Sequence, residues 1–373
     1  MKKHISSRNP AMDIIRCLAL FGVVSTHFFY YSGFYNRYIS GSRMYVLTII
    51  RSASMVCVPL FLLLSGYLLQ SKKPTRQYYL KIIKTVGIYF LASIFCYLSY
   101  LFFHGRALHS ASVSELLRMT LGFDATFYSW YINMYIGLFL LIPYLNVLYQ
   151  HLDSQKSKQA LIITLLIITA VPHMINSSAY SSTGGWTLAV NAYENQILFP
   201  DYWIDFYPIT YYFIGSYLKE YPIKLNRSLH TVAAAVSVLS IGTLNYCLSY
   251  GTAFREGPWQ NLGSLLNAIQ AVLIFSLLAQ ADYRNISPRT AHLFSRLSDL
   301  CLGGYLVSWI FDNYFHPILQ HIQPVPEYKL EYYLPVTLAI YICSLSLSAV
   351  LNLIYHLFEK LFSVVLLKKT SQV

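Results

Sequence analysis

Charge is what this sequence has least of. Asp, Glu, Lys and Arg make up 11% of its 373 residues, where soluble domains carry about 25%. A chain so poor in charge cannot cover a water-facing surface of ordinary size, which excludes an ordinary soluble enzyme and makes a bilayer its natural solvent. Acidic residues are scarcest, 15 against 27 basic ones, for a formal net charge of +12. In a soluble chain that excess would suggest nucleic acid. In a membrane chain it reports Lys and Arg retained in cytoplasmic loops. The six cysteines (Cys17, Cys57, Cys96, Cys247, Cys301, Cys343) all fall in apolar runs and form no CxxC, so neither a disulfide framework nor a metal site is expected. The sequence has no GxSxG elbow, Walker A or GxGxxG loop, HExxH, DxD or HxxxxD. These absences argue against metalloproteases, ATPases and metal-dependent glycosyltransferases, and leave transport open.

What the sequence does have is a series of long apolar runs. A spanning helix needs about 20 mostly apolar residues, and ten spans are predicted: 13–34, 45–70, 78–103, 127–149, 160–177, 204–219, 229–250, 262–281, 299–320 and 333–357. The first is too long for a cleavable signal peptide and has no small-residue cleavage site after it. Ten spans place both termini on one side. Of the 27 Lys and Arg, 19 fall on that side, seven on the other, and Arg16 lies within the first helix. Both termini are therefore expected in the cytoplasm. The expected fold is an all-α polytopic membrane bundle, one domain over 1–373, with the bilayer and no nucleic acid as partner. The longest outer loop, about 178–203, has no Lys or Arg but carries Trp186, Tyr193, Glu194, Phe199, Asp201, Tyr202 and Trp203. That set suits stacking on sugar rings, and equally an interfacial aromatic belt. Interfacial anchoring is also the role expected of the 34 tyrosines.

Charged groups inside a membrane are costly and usually functional. The first helix holds three polar candidates, Asp13, Arg16 and His27. At 100° per residue Arg16 and His27 point within roughly 20° of each other and are separated by about 16 Å along the axis. Asp13 lies about 40° from His27 on the same basis. One helix face thus carries an acid and a base at its cytoplasmic end and an imidazole three turns deeper. Snorkelling explains Arg16 equally well, and helix-start preference explains Asp13. His27 is either a bonded core imidazole or a general base working near neutral pH.

The stretch Arg8-Asn9-Pro10-Ala11-Met12-Asp13-Ile14-Ile15-Arg16-Cys17-Leu18-Ala19, followed by Val23-Val24 and His27, resembles the opening of acyltransferase family 3, multi-spanning bacterial enzymes that O-acetylate surface glycans. Arg16 and His27 match that family's Arg–(ten residues)–His pair. Val58-Pro59-Leu60-Phe61-Leu62-Leu63-Leu64-Ser65-Gly66-Tyr67-Leu68-Leu69 resembles its second-helix motif. Trp130-Tyr131-Ile132, running on through Ile136-Gly137 to Ile142-Pro143, resembles its third, and Leu302-Gly303-Gly304-Tyr305-Leu306-Val307 its late motif. The matches touch most of 8–143 and a patch near 300. The chain departs where the family often has paired arginines (here Lys81 and Lys84, which keep the charge but lose the bidentate fork), where a His often precedes the third motif (here Tyr128), and where the late motif often ends in His (here Ser308-Trp309).

The resemblance implies an acyltransferase in the bacterial plasma membrane that moves an acyl group, most commonly acetyl, from cytoplasmic acyl-CoA to a glycan hydroxyl, without a metal. His27 would be the base, with Arg16 and Asp13 beside it. Arg16 with Lys72, Lys73, Arg76, Lys81 and Lys84 would meet the polyanionic CoA, and Ser65, Tyr67 and Trp130 the substrate. Partners implied are acyl-CoA, a glycan acceptor, and a second copy of the chain or polysaccharide-synthesis proteins. The rival reading is an exporter or flippase of polysaccharide or lipid-linked sugar on the same scaffold. A translocation path should place deep charges on several helices. Here they are expected almost only on the first, with Asp312 the exception.

Overall fold

The computed structural model describes residues 9–107, 111–126, 128–176, 178–181, 185–188 and 197–370. Apart from one short antiparallel hairpin, β1 (Ser178–Ser181) with β2 (Gly185–Leu188), these residues form helices and their connections. The helices are α1 (Pro10–Tyr31), α2 (Gly41–Ser54), α3 (Cys57–Leu69), α4 (Arg76–Tyr79), α5 (Ile82–Phe103), α6 (Val113–Leu121), α7 (Trp130–Gln150), α8 (Gln155–Thr169), α9 (Val171–Ile175), α10 (Tyr207–Glu220), α11 (Arg227–Ser249), α12 (Leu265–Ala279), α13 (Pro288–Ile322) and α14 (Leu330–Thr370).

Among the described residues, seven segments are long and apolar enough to cross a membrane: Pro10–Asn36, Gly41–Leu69, Arg76–Phe103, Trp130–Gln150, Gln155–Ile175, Arg227–Ser249 and Pro326–Leu361. All ten expected runs contain a helix, but three fall outside this set. The 14 residues of α10 and 15 of α12 reach only about 21–23 Å, less than the roughly 30 Å of hydrocarbon. The 35-residue α13 is long enough, but Asp299, Asp312, Asn313 and His316 interrupt its apolar run.

Local chemistry sets the helix ends that matter most. Asn9 caps α1 by accepting from the Ala11 N–H at 3.0 Å, Pro10 occupies the first turn and Asp13 adds a favourable charge there. The break between α2 and α3 falls at Met55–Val56. Pro59 explains it, because its ring clashes with the carbonyl four residues earlier, that of Met55. α3 runs unbroken through Ser65 and Gly66.

α1 is the central helix, packed against α13, α3, α14, α2 and α12. Glycines let other backbones approach closely, as apolar packing without a water-driven force requires. A Cβ on Gly66 would lie 1.9 Å from the Tyr212 carbonyl oxygen, and one on Gly215 would lie 2.1 Å from the Leu63 oxygen. α3 and α10 therefore touch backbone to backbone, and Ser216 Oγ donates to the Gly66 carbonyl at 3.2 Å.

Buried tyrosines act as staples as well as anchors. Tyr78, Tyr89 and Tyr211 donate to the carbonyls of Phe139, Thr120 and Leu262 at 2.7–2.8 Å, and the half-buried Tyr341 to that of Cys17 at 3.3 Å. Each buries a large ring while pairing its hydroxyl. At the end of α1 away from its N-terminus, Arg37 pairs with Glu327 (2.9 Å) and Arg43 with Glu331 (3.0 Å). Lys329, 1% exposed, donates to the Ser32 carbonyl at 2.7 Å and to Gln320. Between α5 and α6, Tyr97 donates to Glu115 at 2.7 Å and Arg106 lies 3.3 Å away, which together hold that carboxyl below its usual range.

Gly66→Ala and Gly215→Ala should each lower the thermal unfolding midpoint in detergent, at a cost of about 1–3 kcal/mol for overpacking. Gly137→Ala, where an added Cβ meets open space, is the control. Midpoints no lower than the control's would mean that the α3–α10 contact is not tight.

Candidate functional site

The polar groups of α1 fall into two neighbourhoods. Near its N-terminus Asp13 is 2% exposed. Arg16 Nη1 lies 3.8 Å from Asp13 Oδ1 and donates to Ser298 Oγ on α13 at 2.6 Å. Arg16 also faces a cavity of about 220 Å³, lined among others by Ser65, Thr85, Tyr131, Cys301 and Tyr305. Leu69 and Thr85 lie on its wall, and the chain between them carries Lys72, Lys73, Arg76, Lys81 and Lys84. Lys72 is half-buried and the other four are exposed. A positive chain segment thus borders a cavity that holds an arginine.

The second neighbourhood is deeper. His27 Nδ1 lies 3.4 Å from Asp312 Oδ2 on α13. Asp312 is fully buried. The same oxygen accepts the Tyr128 hydroxyl at 2.6 Å, and the Tyr128 ring stacks on His27 with centroids 3.6 Å apart. On the other side, His316 Nε2 lies 3.6 Å from Asp312 Oδ1. One turn of α13 brings Asp312 and His316 together as an i,i+4 pair, and the α1–α13 contact brings His27 to them. With Nδ1 turned to the carboxylate and 12% of the side chain exposed, Nε2 is the nitrogen left for a substrate. An imidazole with one nitrogen facing a carboxylate and the other open is an arrangement in which a general base can work. Among the described residues no group of His, Cys, Asp and Glu is placed to hold a metal ion.

Tyrosines join the two neighbourhoods. Tyr305, on the cavity wall, donates to the Tyr128 carbonyl. Its ring sits edge-on to Tyr131 at 5.6 Å and 6.3 Å from Tyr128. The Arg16 cavity therefore ends on Tyr305 and Tyr131, with Tyr128 and His27 behind them.

Of the residues singled out from sequence, Arg16 and Ser65 come together at the cavity, Asp13 stands beside Arg16, and His27 does not line the cavity. Tyr67 and Trp130 do not line the cavity. Tyr67 packs on Phe275 with Lys219 near its ring, and Trp130 is 42% exposed. Tyr131, the next residue, lines it instead. In the aromatic loop, Tyr193 and Glu194 lie outside the described residues, as does the side chain of Trp186. Tyr202 and Trp203 are exposed. The expectation that deep charge is almost confined to the first helix is corrected. Asp312, His316, Arg51 and Lys329 are all at most 3% exposed. Arg51 lies in α2 between Glu256 (3.2 Å) and Gln260 (2.7 Å). The sequence reading missed His316 and the partnership of Tyr128. The available signal was an Asp and a His four residues apart within an otherwise apolar helix.

A family model described as an acyltransferase domain, that of acyltransferase family 3, matches residues 9–355. No curated protein and no solved structure matches the chain.

The cavity should be wet. With the native cysteines replaced, Ser65→Cys and Thr85→Cys should react with a water-soluble thiol reagent at least tenfold faster than Ser93→Cys, whose position is 1% exposed. Equal rates would mean that water does not reach the cavity.

Proposed function

This chain belongs to acyltransferase family 3, and from that premise we propose that it is a membrane O-acyltransferase moving an acetyl group from acyl-CoA to a hydroxyl of a surface or lipid-linked glycan. The observation that carries the reading is the His27–Asp312 contact within an apolar bundle, a base with its orienting carboxylate and one free nitrogen. Buried charge of this kind is expensive, and no helix end or loop needs it for anchorage.

In the proposed reaction the acceptor hydroxyl attacks the thioester carbonyl. His27 Nε2 takes the hydroxyl proton as the C–O bond forms. The C–S bond then breaks, and His27 returns the proton to the thiolate, so that the products are the ester and free CoA thiol. Asp312 holds the imidazole in the tautomer with Nδ1–H facing it. Arg16 and the basic segment Lys72, Lys73, Arg76, Lys81 and Lys84 suit the phosphates of CoA, since guanidinium and ammonium groups pair with phosphate. The roughly 16 Å of helix between Arg16 and His27 is a distance that a long, flexible pantetheine arm spans. Passage requires Tyr305 and Tyr131 to move aside. The cytoplasm is taken as the side of the basic segment, in a bacterial plasma membrane, with both termini inside and ten spans, α10 and α12 crossing together with their flanking turns.

One observation favours the exporter alternative. Buried charge occurs on α2 and α13 and beside Lys329 as well as on α1, as a translocation path would show. Arg51 and Lys329, however, are bonded to residues that tie connecting segments to helix ends. The His27–Asp312–His316 group has no such role among the described residues.

Purified protein in nanodiscs should release CoA from acetyl-CoA when supplied with cell-surface glycan extract. His27→Ala should lose at least about 100-fold in rate, the lower range for a general base, while Arg16→Ala raises KM for acetyl-CoA. Transport of a lipid-linked sugar across liposomes without acetyl-CoA turnover would replace this reading with the exporter.

A further inference from the structure

Lys72, Lys73, Arg76, Lys81 and Lys84 cannot hold their own segment in place, because charges of one sign repel and four of the five are exposed. The segment is fastened instead to α7. The last carbonyls of a helix need partners from outside it, and the chain leaving α3 finds them there. Asn146 Nδ2 donates to the Leu69 and Lys72 carbonyls, both at 2.8 Å, and Gln150 Nε2 donates to that of Gln70 at 3.0 Å. Asn146 is 2% exposed, and its oxygen accepts the Tyr212 hydroxyl of α10 at 2.6 Å. That bond turns the amide so that both its N–H groups face the segment.

A second attachment comes from Pro143, inside α7. Proline has no N–H, so it leaves the carbonyl four residues earlier without its usual partner. That carbonyl belongs to Phe139. Tyr78 of α4 donates to it at 2.7 Å, with its ring stacked on that of Phe139 at 4.3 Å between centroids. Phe139, Asn146 and Gln150 are spaced i, i+7 and i+11, which places them on one face of α7. The first three cations thus lie between two pins, Asn146 at Leu69 and Lys72, and Tyr78 two residues past Arg76. Leu69, the first pinned residue, is on the wall of the Arg16 cavity.

We infer that Asn146 is a positioning residue for the donor, fixing the backbone that presents Lys72, Lys73 and Arg76 at the edge of the Arg16 cavity. Tyr78, through the carbonyl that Pro143 leaves open, holds the far end of the same stretch. Neither residue lines the cavity. The donor's identity as acyl-CoA rests on the acyltransferase reading. The pinning of the segment does not. A polyanion that meets fixed cations is spared the cost of ordering the loop that carries them, and one that meets a loose loop bears it. Loss of the clamp should therefore weaken capture of the donor and leave the chemical step at His27, deeper in the bundle, as it was.

The test uses the full chain in nanodiscs. Asn146→Ala removes both donors, and Tyr78→Phe removes one hydroxyl while keeping the ring. Asn245→Ala removes an equally buried carboxamide from α11, where it bonds Gly257 and Trp259. In Asn146→Ala both KM for acetyl-CoA and Kd for CoA should rise about tenfold, and in Tyr78→Phe at least about twofold, with kcat within about twofold of wild type. Asn245→Ala should lower the thermal midpoint and leave KM unchanged, since it loosens the bundle away from the segment. Should Asn146→Ala not fold, Tyr78→Phe carries the same test. A spin label on Ser71→Cys, with the native cysteines replaced, reads the clamp without turnover, and its motion should quicken when Asn146→Ala or Tyr78→Phe is added. Unchanged KM and Kd, a fall in kcat at constant KM, an equal rise of KM in Asn245→Ala, or unchanged motion of the label would overturn the inference. If the wild type binds no CoA, the acyltransferase reading falls and the label alone decides. Faster motion then keeps Asn146 as the clamp of the cationic segment, and unchanged motion removes it.

Discussion

A carboxylate with no access to water organises the middle of this protein. Asp312 sits where α13 crosses α1, and an unpaired charge there would cost several kcal/mol, a large share of a typical domain's stability margin. Its neighbours are accordingly those that can meet it, two imidazoles and a phenol from three parts of the chain. That demand fixes the rotation of α1 against α13, because His27 faces the carboxylate only in one orientation. The same rotation points Arg16, three turns away, at Ser298 and into the cavity. The deep imidazole and the shallow guanidinium are thus aligned by one contact.

The rest of the bundle keeps that contact in place without an aqueous driving force between helices. Glycines at Gly66 and Gly215 bring α3 and α10 to backbone contact. Tyrosine hydroxyls close carbonyls on neighbouring segments. Polar pairs between Arg37 and Glu327, Arg43 and Glu331, and Lys329 and Ser32 tie the end of α1 to the beginning of α14. These are the devices that apolar surroundings favour, where close packing and satisfied hydrogen bonds replace hydrophobic exclusion. They also account for much of the tyrosine content, which interfacial anchoring alone did not explain.

The tyrosines between cavity and imidazole have a further consequence. Tyr305 and Tyr131 close the cavity toward His27, and Tyr305 does so through a hydrogen bond to the Tyr128 backbone, next to the ring that stacks on His27. Movement that opens the cavity would therefore be felt by Tyr128 and, through it, by Asp312. The cavity at Arg16 and the imidazole at His27 are thus mechanically connected through Tyr305 and Tyr128.

By itself the sequence determined the membrane setting, the positions of the main helices, the family, and the alignment of Asp13, Arg16 and His27 on one face. Each of these depends on local periodicity, local composition or a motif within a few turns. The sequence did not reveal that α10 and α12 are too short to span the hydrocarbon unaided, because an apolar run does not show where its helix stops. It did not reveal that Tyr67 and Trp130 turn away from the cavity while Tyr131 enters it, since adjacent residues on a helix point about 100° apart and only a packed neighbour says which is inside. Nor did it pair His27 with Asp312, 285 positions later, or set His316 on the carboxylate's other oxygen. Those partnerships are long-range. They arise when α13 packs along α1, and the cost of burying a charge alone decides which groups must meet.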